Sequence, residues 1–136
     1  QYDRIVMRRL AKDFNEFKDT PYSQNNVVNF KNRPWQENHD VWHLDACKWG
    51  NTWFLLLNTS QTNLSTGSDL YLAYSGDGWN YNVIEQPLAL SKSYRSCIVS
   101  ISSSSDEIQF LLFHNFNTDG STFLKKITLN YNLLNS

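Results

Sequence analysis

Two short clusters carry the side chains best suited to chemistry, Trp42-His43-x-Asp45 and Tyr94-Arg95-Ser96. A carboxylate, an imidazole, a guanidinium and a hydroxyl can meet the hydroxyls of a polyhydroxylated ligand. The indole and the phenol offer flat faces for its C–H surface. Asp45 and Arg95 have a second use open to them, an ion pair between neighbouring strands that would satisfy two otherwise costly charges. No metal is expected, because one His-x-Asp pair lacks the further ligands of a zinc site, and no cofactor is implied. Hydrolysis by a paired general acid and base requires two facing carboxyl groups. Here only Asp45, with Asp40 beside it, is placed for that work, and Glu37, Glu85 and Glu107 fall in a loop or on outer strands.

The elements that must position these residues are strands. Residues 40–57 read as a β-hairpin: Val41, His43 and Asp45 alternate with Trp42, Leu44 and Ala46, Lys48-Trp49-Gly50-Asn51 supplies the turn, and the return run Trp53 to Leu57 is apolar on both faces. A strand of that last kind is expected to be covered from both sides. Aromatic residues make up 15% of the chain, which favours an all-β class. The 136 residues suffice for one domain with a core. A net charge of -1 lacks the basic footprint of a nucleic-acid binder. The longest apolar run is too short for a membrane-spanning helix or a leader core, so no membrane insertion is expected. Cys47 and Cys97 read as buried free thiols.

Repeats organise the rest. Leu10-Ala11-Lys12-Asp13-Phe14 resembles Leu72-Ala73-Tyr74-Ser75-Gly76-Asp77, each leading into an acidic turn, and a fainter copy begins at Phe123. The hairpin recurs as residues 94–101 and 107–113, with His43 aligned on Arg95 and Tyr71 on Phe123, both at a spacing of 52. Four strands per repeat of that length is the pattern of a propeller blade. The chain is therefore expected to be a partial β-propeller of about two and a half blades with almost no helix. Residues 1–22 form a half blade, 23–39 a crossing loop, 40–90 one blade and 92–135 the next. Asp77 and Gly78 belong to an outer turn, and Trp35 is the aromatic of the crossing loop, either exposed for a ligand or anchoring the loop. Two and a half blades leave apolar faces open, so the unit is expected to be completed by more chain or by other copies.

In their order, Trp42-His43-x-Asp45, Trp53-Phe54-Leu55-Leu56-Leu57, Leu70-Tyr71-Leu72-Ala73-Tyr74-Ser75-x-Asp77-Gly78 and Tyr94-Arg95-Ser96 resemble the successive blades of five-bladed propellers related to arabinanases, fructosidases and family 43 glycoside hydrolases. Propellers of this type also serve as receptor-binding parts of tail proteins in phages of Gram-positive bacteria. The resemblance implies carbohydrate recognition, with a cell-surface polysaccharide or teichoic-acid-type glycopolymer as partner and a virion tail or extracellular location. In the fructosidase-like enzymes the second cluster would read Arg-Asp-Pro, whereas here Ser96 follows Arg95. That departure favours a binding module over a glycoside hydrolase, with Trp42, His43, Asp45, Tyr94, Arg95 and Ser96 as ligand contacts and Asp45 as the catalytic carboxylate of the alternative.

Overall fold

A computed structural model describes residues 5–8, 10, 12–13, 15–16, 26–61, 68–103, 107–116, 122–130 and 132. Its strands are β1 (Asn29–Lys31), β2 (His39–Trp49), β3 (Thr52–Gln61), β4 (Ser68–Ser75), β5 (Asn80–Val83), β6 (Ala89–Ser103), β7 (Glu107–Phe116) and β8 (Thr122–Asn130). β2 to β5 form one antiparallel meander and β6 to β8 a second. The fold is all-β and propeller-like, as the repeats predict.

The first meander is the middle layer because its central strands are apolar on both faces. From β3, Phe54 and Leu56 point one way and Leu55 and Leu57 the other; from β4, Leu70 and Leu72 oppose Tyr71 and Ala73. One set meets Ile98, Ile108, Phe110 and Leu112 of the second meander, with Phe54 and Phe110 edge to face at 4.9 Å. The other set is covered by Val28, Phe30, Trp35 and Val6 from the N-terminal part. Each such side chain, taken fully out of water, contributes about 1.5–3 kcal/mol.

Two turns hold the meander's outline. Trp49 pairs with Thr52 across Gly50 and Asn51, and Gly50 takes a φ of 55°, a left-handed backbone open to glycine without a Cβ clash. Between β4 and β5, Asp77 Oδ1 accepts from the Trp79 and Asn80 amides at 2.7 and 2.8 Å and from the Ser75 hydroxyl at 2.8 Å. Ser75 Oγ accepts in turn from the Gly78 amide at 2.9 Å. Those bonds, led by the Asn80 amide, hold the Asp77 carboxyl well below the usual carboxylate range.

Several boundaries differ from the sequence expectation. Within the expected crossing loop, Asn29–Lys31 forms β1 and adds in parallel to β5, with Phe30 opposite Tyr81. The Asn29 side chain donates to Asn80 Oδ1 at 3.3 Å, and the chain then turns at Asn32, whose φ is 56°. β6 starts at Ala89 and first pairs with β4 (Leu70 with Ala89, Ser68 with Ser93) before crossing to β7, so one hydrogen-bonded network links both meanders. Most of the expected half blade at 1–22 lies outside the described residues. Its described part is a bridge, Met7 to Val27, flanked by Val28 N–H to Val6 O at 2.9 Å and Arg8 N–H to Asn26 O at 2.8 Å. The expected fourth strand of the second meander, 130–134, also falls mostly outside them. Cys47 is partly buried, as a core thiol should be, but Cys97 is exposed, because β6 turns it away from the inter-meander core that Ile98 enters.

Candidate functional site

The two clusters singled out by sequence lie on β2 and β6, which pack against each other without pairing. Asp45 sits opposite Leu56, on the face of β2 that looks toward the second meander, and its Oδ2 accepts from the Ile98 amide at 2.8 Å. One backbone amide of the neighbouring strand is thus paired by a side chain across the seam. His43 lies opposite Asn58 on the same face of β2. Asn58 is buried, a polar residue at the end of the apolar cluster that the sequence reading did not single out.

Register irregularities decide where the remaining cluster residues point. The ladder shifts between Val41 and His43, leaving Trp42 as the extra residue, with its indole nitrogen buried. An extra residue reverses the alternation beyond it. Val41 therefore packs on the N-terminal side, away from the face of His43 and Asp45 that strict alternation assigns to it. On β6 the ladder shifts between Ser93 and Ser96, so Tyr94 and Arg95 stand together against Asn115. Ser96, two residues before Ile98, faces β2. Exposed Arg95 alternates with it, on the side of exposed Cys97 and Val99. The fold brings His43, Asp45 and Ser96 to facing sides of two strands and sends Arg95 to the other side of β6.

On the opposite face of the first meander, where Val41 packs, the structure forms a pocket of about 230 Å³ at the start of β2, walled by Phe30, Arg33, Trp35, His39 and Asp40 together with the residue pair Ile5 and Val6. Its aromatic wall is built by the turn after β1. Asn32 and Pro34 fold Trp35 back so that it meets Phe30 edge to face at 6.0 Å and Tyr71 at 5.7 Å. Trp35 is thus a loop anchor and also a pocket wall. The polar residues of the lining are His39, partly buried, whose Nδ1 lies 3.0 Å from Asn38 Oδ1, exposed Arg33, and buried Asp40, which alternates with Val41 along β2. A flat apolar wall lined also by an imidazole and a guanidinium suits a single polyhydroxylated ring. The volume is below the ~300–1,000 Å³ typical for drug-sized ligands. Of these residues Trp35 and Asp40 stand out in the sequence by their chemistry. Phe30 and His39 were hidden inside the Asn-rich tract, although Asn29-Phe30-Lys31 alternates as a short strand does.

No protein family model matches the chain, and no curated protein matches it in sequence. Among solved structures it is similar to an N-acetylgalactosamine deacetylase from F. plautii in complex with blood group B trisaccharide, with a TM-score of 0.54 and 17% identity over 77% of this chain. The chain spans 37% of that enzyme chain's length. At this identity the likeness is one of fold.

Proposed function

We propose that this chain is a carbohydrate-binding unit of a propeller-like protein that recognises a cell-surface glycopolymer, and that it serves host recognition on a phage tail or another extracellular carrier. The observation that carries the reading is the pocket between Trp35 and the start of β2, which an aromatic wall lines together with Arg33, His39 and Asp40. Sugars bind such sites by laying a C–H face on the ring while side chains pair with their hydroxyls. His43, Asp45 and Ser96, which share the seam between β2 and β6 on the opposite face of the first meander, are a second, separate contact surface for a longer glycan, and Arg95, on the far side of β6, is not part of it. The fold neighbour was solved with a trisaccharide, which supports carbohydrate as the ligand class.

A second reading, a carbohydrate hydrolase of the arabinanase and fructosidase kind, is favoured by the presence of buried Asp40 among the residues that line the pocket. Calorimetric titration with purified wall teichoic acid and with blood group B trisaccharide tests both readings. Trp35→Ala is expected to weaken binding by about 1–2 kcal/mol through the lost stacking surface, with thermal unfolding as the control for its anchoring role. Absence of binding by the intact chain to either glycan defeats the binding reading for these ligands. Release of reducing sugar that Asp40→Asn abolishes at unchanged affinity establishes the hydrolase instead.

A further inference from the structure

One wall of the pocket does not belong to the meander. Ile5 and Val6 line it, together with Val27 and Val28, and these two stretches are joined to each other by the Met7–Val27 bridge. A two-stranded ribbon of this size is marginal by itself, so its place depends on what fastens it to the meander. The fastening includes Arg8. Its guanidinium carbon lies 4.8 Å from the ring centres of both Trp53 and Trp79, and Nη1 donates to the Asp77 carbonyl at 3.1 Å. The seat is shaped for it. Gly78 has a φ of 73°, and a Cβ there would occupy the space of the guanidinium. Asp77 holds the turn that carries both Gly78 and Trp79, through its bonds to Ser75, Trp79 and Asn80.

We propose that Arg8 is a clasp for the ligand pocket: seated between Trp53 and Trp79 it sets the Ile5–Val6 wall, and unseating it opens that wall, so that clasp docking and pocket occupancy are linked. This rests on the carbohydrate reading for the identity of the occupant. Linkage is reciprocal: a ligand that needs the wall must hold Arg8 in its seat by the same factor by which the seat improves ligand binding. Arg8 is a positioning residue, without contact to the ligand. A planar guanidinium stacks on two indoles, whereas an ammonium does so less well.

Amide hydrogen exchange on the full chain tests the proposal, with blood group B trisaccharide and purified wall teichoic acid as probes. The amides of Arg8 and Val28, bonded to Asn26 and Val6 across the ribbon, are expected to exchange at least about tenfold faster in Arg8→Ala and in Gly78→Ala than in the parent chain. Those of Phe54 and Leu56 in β3 should not change. Arg8→Lys should fall between. The glycan that binds should slow the Arg8 and Val28 amides in the parent chain and bind about tenfold more weakly to Arg8→Ala. Unchanged ribbon exchange in Arg8→Ala overturns the clasp. So does equal glycan affinity of Arg8→Ala and the parent, which leaves the carbohydrate reading standing. If neither glycan binds the parent chain, the carbohydrate reading falls, and ribbon exchange in the Arg8 variants still decides whether the clasp exists.

Discussion

Asp45 joins the two meanders through a single oxygen, accepting the Ile98 amide at 2.8 Å, and the same carboxylate acts on its neighbour two residues along. Burial, and after it the Asp45 charge, push the Cys47 thiol up to about 11. Substitution separates the two effects. Asp45→Ala removes the acceptor and is expected to destabilise the fold by about 2 kcal/mol, while Asp45→Asn keeps an oxygen there and costs less, under about 1.5 kcal/mol. In both variants the Cys47 titration, followed by thiolate absorbance, should move down from about 11 yet stay above 9.0, because burial is the larger cause. A midpoint that stays put in both would show that the Asp45 charge does not reach the thiol. The sign for stability follows: the folded thiol holds its proton more tightly than the unfolded one. Its contribution is complete below about 9 and is lost as pH rises toward 11.

At the scale of the elements, what could be read from sequence was what side-chain periodicity dictates. Trp53 to Leu57 is apolar at every position, and a strand with no polar face must be covered twice, as β3 is by two separate clusters. Gly50 and the Ser75-Gly76-Asp77-Gly78 run marked their turns because backbone geometry and carboxylate capping act locally. The features missed are set by partners distant in sequence. β1 is three residues long and exists because β5 offers an edge fifty residues on. The first residues of β6 are strand because the start of β4 is there to pair with them. The extra residue at Trp42 leaves no mark in composition, yet it moves Val41 to the other face and so helps to shape the pocket. That pocket is half legible: Trp35 and Asp40 stand out as chemistry, but only the return of the chain at Asn32 brings Trp35 onto Phe30 and Tyr71 to make its wall.

At the scale of the molecule, the outward face of the second meander is the exposed one. Val99 and Leu124 are 50% and 59% exposed there, beside exposed Cys97. Grouped apolar surface of this kind marks an interaction face, and in a closed ring of blades the next unit would cover it. The chain in isolation is therefore expected to self-associate with rising concentration in sedimentation velocity. Val99→Lys with Leu124→Lys should return it to monomer without lowering its melting temperature. A parent chain that stays monomeric at millimolar concentration would show that this face needs no cover.

The crossing of β6 from β4 to β7 bears on how the molecule comes apart. Repeat units that touch only through side chains can be lost one at a time, each with its own transition. Here the second unit begins as a strand of the first, and Ile98, Ile108, Phe110 and Leu112 form the far half of the cluster that buries Phe54 and Leu56. Peeling the second unit away would break the β4 pairing and bare that cluster in the same event. The two repeats are thus expected to melt as one: urea transitions followed by tryptophan fluorescence and by far-ultraviolet circular dichroism should coincide. A resolved plateau between them would mean that the seam along β6 does not couple them. A single transition would make the boundary between the repeats, the natural place to cut the chain in two, the place where a cut leaves neither half able to stand.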